Sequence, residues 1–173
     1  SRRPFPARDL ISSWTLDAET NAVYEDKAQQ WTDARVGKSL QGAERLRARA
    51  NADHGPLLDL GCGPGYLTEA LPDDAIGLDP AAAMLDLLRQ RLPGALAVQG
   101  EAARLPFRTG SLGGAVVNAV YVHVDRPELP LTLAELHRTL AVGAPVELGM
   151  FGGDQDLTEM ITGDFAGRRF ALW

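Results

Sequence analysis

The run of seven residues from Asp59 to Gly65 constrains this chain more than any other feature. It contains three glycines, it follows directly on the apolar residues Pro56–Leu58, and it precedes the helix-favouring residues Tyr66–Leu71. A short apolar run that ends in glycines and leads into such a segment is typical of a strand, a tight loop and a helix. Glycine lets the backbone approach a ligand closely, and a helix N-terminus attracts anions. We therefore predict that a nucleotide-like ligand lies across this turn.

The spacing of the glycines separates two classes of ligand. The dinucleotide pattern G-x-G-x-x-G needs a third glycine or alanine where this chain has Tyr66. Here the third glycine comes one residue early, at Gly65, and an acid, Asp59, stands two residues before Gly61. The order acid-x-G-x-G-x-G resembles motif I of the class I S-adenosylmethionine-dependent methyltransferases. The resemblance implies that Asp59 anchors the amino end of the cofactor, and that Gly61, Gly63 and Gly65 admit its methionine part.

The second strand, residues 75–79, ends in an acid, as that family requires. Asp79 can cap the following helix, with Pro80 at the first helical position. The resemblance implies instead that the Asp79 carboxylate accepts both ribose hydroxyls of the cofactor. Both interpretations stay open at this point.

The segment after the third strand, residues 100–107, looks like the family's G-D-A-x-x-L-P-F. Glu101 stands where the family has aspartate, so the side-chain contact to adenine is altered, whereas a contact from the Ala102 backbone N–H needs no particular side chain. The resemblance also assigns three further residues to the cofactor site, namely Pro80, Asn118 and Tyr24.

A fourth strand, residues 115–120, is followed by a segment whose ending looks like the family's "hHv" signature, with His123 at the histidine position. Histidine is the usual general base at neutral pH, so His123 is the catalytic candidate for an acceptor that carries a proton. The next helix places leucines on one stripe, and strand five follows at 145–150.

Strands that alternate with helices predict an α/β fold, a Rossmann-like doubly wound parallel sheet of the class I methyltransferase type. Residues 1–55 form a helical preface, in which Tyr24, Ala28 and Trp31 share one face. This face favours packing onto the sheet domain, and the segment also resembles the family's entry helix over the cofactor. Residues 56–173 form the cofactor-binding domain. The family's sheet has seven strands, and residues 151–173 are too few for a helix and a hairpin. We therefore expect the last strands to be lacking, as in a truncated chain or one that needs a partner domain.

Composition and charge argue against several functions. A net charge of −6 and a pI near 5.0 argue against nucleic acid. The basic groups Arg45, Arg47 and Arg49 spread around a helix and favour a solvated face, and a second basic pair is Arg168-Arg169. No apolar run is long enough for a membrane span. The single cysteine, Cys62, fits a reducing compartment and a cytoplasmic location, and the three histidines show no metal-ligand spacing.

The leading interpretation is a methyltransferase that transfers the methyl group of S-adenosylmethionine to a small-molecule acceptor. One alternative is an NAD(P)-dependent oxidoreductase on a Rossmann fold, against which Tyr66 and Asp59 count. Another is a catalytically silent domain that binds the cofactor or a partner. The acceptor itself and the oligomeric state do not follow from the sequence.

Overall fold

Five short strands, all parallel, form the central sheet of the computed structural model, which describes residues 18–34, 39–152, 158–160 and 165–171. The strands are β1 (Leu57–Leu60), β2 (Ile76–Asp79), β3 (Leu96–Gln99), β4 (Gly114–Asn118) and β5 (Val146–Gly149). Their order is β3-β2-β1-β4-β5. This confirms the predicted Rossmann-like fold. The order reverses between β1 and β4, where ligands bind beyond the carboxyl ends of the strands in such sheets.

Helices cover both faces of the sheet. Three precede it, α1 (Ala18–Asp26), α2 (Ala28–Asp33) and α3 (Gln41–Arg49), and two lie between strands, α4 (Ala82–Arg91) and α5 (Leu129–Thr139). All four residues of β1 are buried, as expected for a parallel strand with both faces covered. Leu58 and Leu60 pack on the side of Leu136 in α5, whereas Leu57 packs with Leu46 of α3.

The prediction of a helix over residues 66–71 is wrong. This segment contains a single turn of 3-10 helix, Thr68–Ala70, and the chain is extended again at Leu71. Pro72 is the physical reason, because a proline restricts the preceding residue to extended backbone. The expected helix N-terminus for an anion is therefore absent after the glycine run.

The end of the described chain also differs from expectation. Two three-residue strands, β6 (Thr158–Met160) and β7 (Arg169–Ala171), pair antiparallel as a separate sheet. Residues 151–173 were expected to be too few for a helix and a hairpin, and their described part contains this antiparallel pair. Among the described residues, β5 pairs only with β4.

None of the described helices has the length and apolar character that a membrane crossing requires.

Candidate functional site

A cavity of about 610 Å³ opens at the carboxyl ends of the strands. This volume lies within the range of about 300–1,000 Å³ typical of small-molecule sites. The structure brings ten of the eleven residues predicted from sequence to its lining: Tyr24, Asp59, Gly61, Gly63, Asp79, Pro80, Glu101, Ala102, Asn118 and His123. The eleventh, Gly65, lies outside the lining.

The three glycines after β1 perform different structural tasks. All three have positive φ, which favours glycine. A Cβ on Gly61 would overlap Val120, and one on Gly65 would overlap Leu88 of α4. A Cβ on Gly63 would instead make ordinary van der Waals contacts, with Trp31 at 3.7 Å and Met84 at 3.9 Å. Only Gly63 of the three therefore has room for a Cβ without overlap.

The backbone N–H groups of the glycine run are already used within the protein. The amides of Gly61 and Cys62 donate to the Leu78 carbonyl at 2.7 and 3.1 Å, and the Gly65 amide donates to the Cys62 carbonyl at 3.0 Å. The Gly63 amide donates to the Asp79 carboxylate at 2.9 Å. Since these four donors are engaged, the glycine run supplies shape to the site and does not supply hydrogen-bond donors to an anion.

Asp59, Gly63 and Asp79 form a group that we call the strand-end wall. Within it, the Asp79 carboxylate binds two backbone segments of the chain. One carboxylate oxygen accepts from the Gly63 amide and the other accepts from the Ala81 amide, both at 2.9 Å. The N-cap of α4 is Ala81, and no side chain caps it. Asp79 is therefore not the N-cap residue of this helix. Burial raises the pKa of Asp79 to about 6, against the lowering effect of these two hydrogen bonds.

Asp59 lies inside β1 and is 1% exposed. Its carboxylate accepts a hydrogen bond of 2.7 Å from the Thr68 hydroxyl, which the 3-10 turn brings over the strand. Burial, with a smaller contribution from the Asp79 charge, raises the pKa of Asp59 to about 7. Two buried carboxylates at the ends of neighbouring strands favour a ligand with positive charge, because such a ligand restores their ionised forms.

The first helices close the cavity from above the strand ends. Ala28 packs with Ala81 and Met84, and Tyr24 and Trp31 lie against the same cluster. Two hydrogen bonds hold this contact: the Tyr66 hydroxyl donates to the Thr32 carbonyl at 2.9 Å, and the Ala83 amide donates to Glu25 at 3.2 Å. The stripe of Tyr24, Ala28 and Trp31 therefore packs on the sheet domain, and its two aromatic residues also line the cavity.

A second group of lining residues, which we call the tyrosine wall, consists of Tyr24, His123 and Arg168. The Tyr24 hydroxyl lies 2.8 Å from Nε2 of His123. Arg168 donates from Nη1 to the same hydroxyl at 3.1 Å and from Nε to the Phe165 carbonyl at 3.1 Å. A guanidinium only donates, so the hydroxyl accepts from Arg168 and has its own proton to give to His123. His123 and Arg168 are 8% and 7% exposed.

Arg168 is the site residue that sequence reasoning missed. The sequence shows it only as part of a basic pair with Arg169, and no local pattern connects it to Tyr24. By contrast, Arg45, which also lines the cavity, pairs with Glu147 at 2.9 Å. Arg49 pairs with the same carboxylate at 3.1 Å. Two of the three arginines assigned to a solvated face thus bind the edge strand β5.

The remaining predicted residues lie around the rim. Asn118 ends β4, and its side chain covers Gly149 of β5. Ala119 follows with φ of 57°, a left-handed conformation that costs a non-glycine residue energy and occurs often at functional sites. Burial raises the pKa of Glu101. Burial also raises the pKa of the Cys62 thiol, so this cysteine is not an activated nucleophile.

Groups of acidic, histidine or cysteine residues that could hold a metal ion are not found within the described ranges.

The fold and the site define a class I methyltransferase architecture, and comparison with known proteins gives the family. A model of a methyltransferase domain matches residues 57–143, half of the chain. The chain therefore belongs to this methyltransferase-domain family.

Curated relatives match part of their own length. An uncharacterized methyltransferase of Mycobacterium tuberculosis is 33% identical over 103 residues, which are 58% of this chain and 40% of that protein. The phthiotriol/phenolphthiotriol dimycocerosates methyltransferase of Mycobacterium leprae is 38% identical over 106 residues, which are 57% of this chain and 38% of that protein. The chain thus spans about 40% of the length of these relatives.

Solved structures agree with the fold. DhpI in complex with SAM and HEP has a TM-score of 0.68 at 21% identity, covering 91% of this chain and 80% of that chain. CalS10, an amino pentose methyltransferase from Micromonospora echinaspora with SAM bound, has a TM-score of 0.60 at 27% identity, covering 79% of this chain and 62% of that chain.

Proposed function

We propose that this protein transfers the methyl group of S-adenosylmethionine to a small-molecule acceptor. The observation that carries the proposal is the strand-end wall, where the buried carboxylates of Asp59 and Asp79 line one cavity together with Gly63. S-adenosylmethionine has an ammonium and a cationic sulfonium, and a cavity lined by five carboxylates and two arginines is electrostatically suited to it. Structures of related proteins with SAM bound support the same ligand.

The residues of the cavity fit the parts of this cofactor. Asp59 would accept from the ammonium, and Asp79 has remaining lone pairs for ribose hydroxyls, because each of its oxygens holds one backbone N–H. Glu101 and Ala102 line the part of the cavity assigned to adenine. The bound cofactor supplies an electrophilic methyl group for in-line displacement by the acceptor.

The contribution of the protein to the reaction is positioning, exclusion of water and removal of a proton. His123 is the proposed general base for an acceptor protonated at neutral pH, because it is buried and lines the cavity. Its Nε2 is bonded to the Tyr24 hydroxyl, so an acceptor would reach it by displacing or sharing that contact.

The proposed role of residues 1–55 is a lid over the cofactor. Tyr24 and Trp31 line the cavity, and their helices are attached to the sheet domain through the two hydrogen bonds of Tyr66 and Glu25. Hydrogen exchange across residues 24–31 should slow when S-adenosylhomocysteine is added. Unchanged exchange there would leave only structural packing for these helices.

Calorimetric titration with S-adenosylhomocysteine and with NADH tests the proposed cofactor. The proposal predicts binding of the first and none of the second, since Tyr66 takes the place of the third glycine of the dinucleotide pattern. The opposite result would restore the oxidoreductase interpretation. Binding without turnover on any acceptor, measured in the full-length protein, would favour a catalytically silent domain.

The cytoplasmic location predicted from sequence remains part of the proposal. It rests on a single cysteine, which is buried in the structure.

A further inference from the structure

Arg168 is a buried cation whose charge no described carboxylate balances. It is 7% exposed, and none of the ion pairs in the described part of the chain includes it. Its partners are neutral: the Phe165 carbonyl, the Tyr24 hydroxyl, and the rings of these two residues at 5.2 and 5.5 Å. A buried charge is costly without an opposite charge or full hydrogen bonding.

The guanidinium has donors that no described residue engages. Of its five N–H groups, one on Nε and one on Nη1 are engaged. Arg168 lines the cavity, so the remaining N–H groups can reach a molecule bound there. The other arginine of the lining, Arg45, is neutralised by Glu147, which leaves Arg168 as the unneutralised arginine of the lining.

We infer that Arg168, positioned by its hydrogen bond to the Tyr24 hydroxyl, forms an oxyanion subsite for the acceptor, which therefore carries a carboxylate, phosphonate or phosphate group. This inference rests on the proposed methyltransferase function and names the substrate class. Arg forms paired hydrogen bonds to such planar or tetrahedral anions. The location of Arg168 favours the acceptor as its ligand, because the Tyr24 hydroxyl joins Arg168 to His123, the proposed base.

An oxyanion can also come from the cofactor, whose methionine part has a carboxylate. We assign the subsite to the acceptor because Arg168 is joined through the Tyr24 hydroxyl to His123, the proposed base, whereas the ammonium next to that carboxylate is assigned to Asp59, whose carboxylate accepts from Thr68. The experiment below separates the two sources.

The probe is methylphosphonate, titrated by NMR at constant ionic strength into the protein saturated with S-adenosylhomocysteine, and dimethyl sulfone is the neutral probe of similar shape. We expect methylphosphonate to bind in roughly the millimolar range and dimethyl sulfone not to bind measurably. Arg168→Gln should weaken methylphosphonate binding by about tenfold or more, as expected when a charge-assisted pair is lost. Arg89→Gln, which removes an exposed arginine paired with Asp86, should leave it unchanged.

Affinity for S-adenosylhomocysteine in each variant shows that the protein is folded and identifies the source of the anion. Unchanged affinity in Arg168→Gln, with methylphosphonate binding lost, supports the acceptor subsite. Weaker S-adenosylhomocysteine binding with unchanged methylthioadenosine binding would overturn it and assign Arg168 to the cofactor carboxylate.

Two further results would also overturn the subsite: no methylphosphonate binding by the parent protein, or equal binding by parent and Arg168→Gln. If Arg168→Gln does not fold, Arg168→Lys replaces it, since lysine keeps the charge but loses the paired donors and should weaken binding by several-fold. Failure of the parent to bind S-adenosylhomocysteine at all would instead refute the proposed function.

Discussion

The strand-end wall and the tyrosine wall face the same cavity but are built in different ways. Asp59, Gly63 and Asp79 lie within about 20 residues of one another in sequence; backbone amides hold the Asp79 carboxylate, and the nearby Thr68 hydroxyl holds that of Asp59. Tyr24, His123 and Arg168 meet across separations of 99 and 144 residues through side chains alone. The first wall contains buried acids, and the second contains a buried base and a buried cation. A cavity lined by both groups has charges suited to a cationic cofactor and to an anionic acceptor.

The largest effect that we expect is the pH dependence contributed by Asp59. Its folded pKa of about 7 lies above the ordinary value of 3.8, so the folded protein binds more protons than the unfolded chain between these values. Stability from this group is therefore complete near pH 4 and is lost as the pH rises to 7, by at most about 4 kcal/mol. Asp59→Asn, which keeps an acceptor for Thr68, should remove this loss.

Urea denaturation at a series of pH values measures this difference. The free energy of unfolding of Asp59→Asn minus that of the parent should rise by up to about 1.4 kcal/mol per pH unit from pH 4 to 7 and then level off. The exposed carboxylate in Asp86→Asn serves as the control. A constant difference over this range would show that Asp59 has an ordinary pKa and that the strand-end wall is well solvated.

Loss of Asp79 should have the next largest effect, on affinity. Asp79→Ala removes a charged acceptor for the ribose, and we expect S-adenosylhomocysteine binding to weaken by roughly 2–4 kcal/mol, or on the order of 30- to 1,000-fold. Asp79→Ser retains an acceptor for one of the two backbone amides but loses the charge, and should also bind weakly. If calorimetry shows that Asp79→Ser binds S-adenosylhomocysteine as tightly as the parent, the role of Asp79 is limited to its hydrogen bonds with the Gly63 and Ala81 amides.

A pair of glycine substitutions separates cavity shape from packing within the strand-end wall. In Gly65→Ala the new Cβ overlaps Leu88 at positive φ, and we expect about 1–3 kcal/mol of lost stability with unchanged affinity for S-adenosylhomocysteine. In Gly63→Ala the Cβ enters the space next to Trp31, so affinity should fall about tenfold or more, with roughly 1 kcal/mol of lost stability from the backbone. Denaturation and calorimetry on both variants check this, and equal losses of affinity would contradict it.

The strand-end wall could be predicted from sequence because its signals are local. The strands ended where the apolar runs ended, and Asp59 and Asp79 reached the same sheet edge because parallel strands align their carboxyl ends. The prediction of a helix over residues 66–71 was wrong because it used the helix preference of these residues and neglected the effect of Pro72 on Leu71. The packing role of Gly65 could not be predicted from local sequence, because its packing partner, Leu88, belongs to a later helix.

The tyrosine wall could be predicted only in part. Tyr24 and His123 were assigned through the family resemblance, but their mutual hydrogen bond depends on how the first helices pack on the sheet. Arg168 carries no pattern of its own, and its burial arises from tertiary contacts with Tyr24 and Phe165. Local sequence patterns do not encode long-range side-chain contacts of this kind.

The smallest effect concerns Glu101, where the chain departs from the family's aspartate. Glu101 lines the cavity, and burial raises its pKa, so a shorter side chain at this position would change the distance to adenine without removing the acceptor. If the longer side chain prevents a good contact, Glu101→Asp should tighten S-adenosylhomocysteine binding by less than about 1 kcal/mol, or up to roughly fivefold. Glu69→Asp, at an exposed residue paired with Arg91, is the matched control and should not change affinity in calorimetry. Weaker binding in Glu101→Asp would mean that the cavity already accommodates the extra methylene, and that the strand-end wall and this rim residue are adjusted to each other.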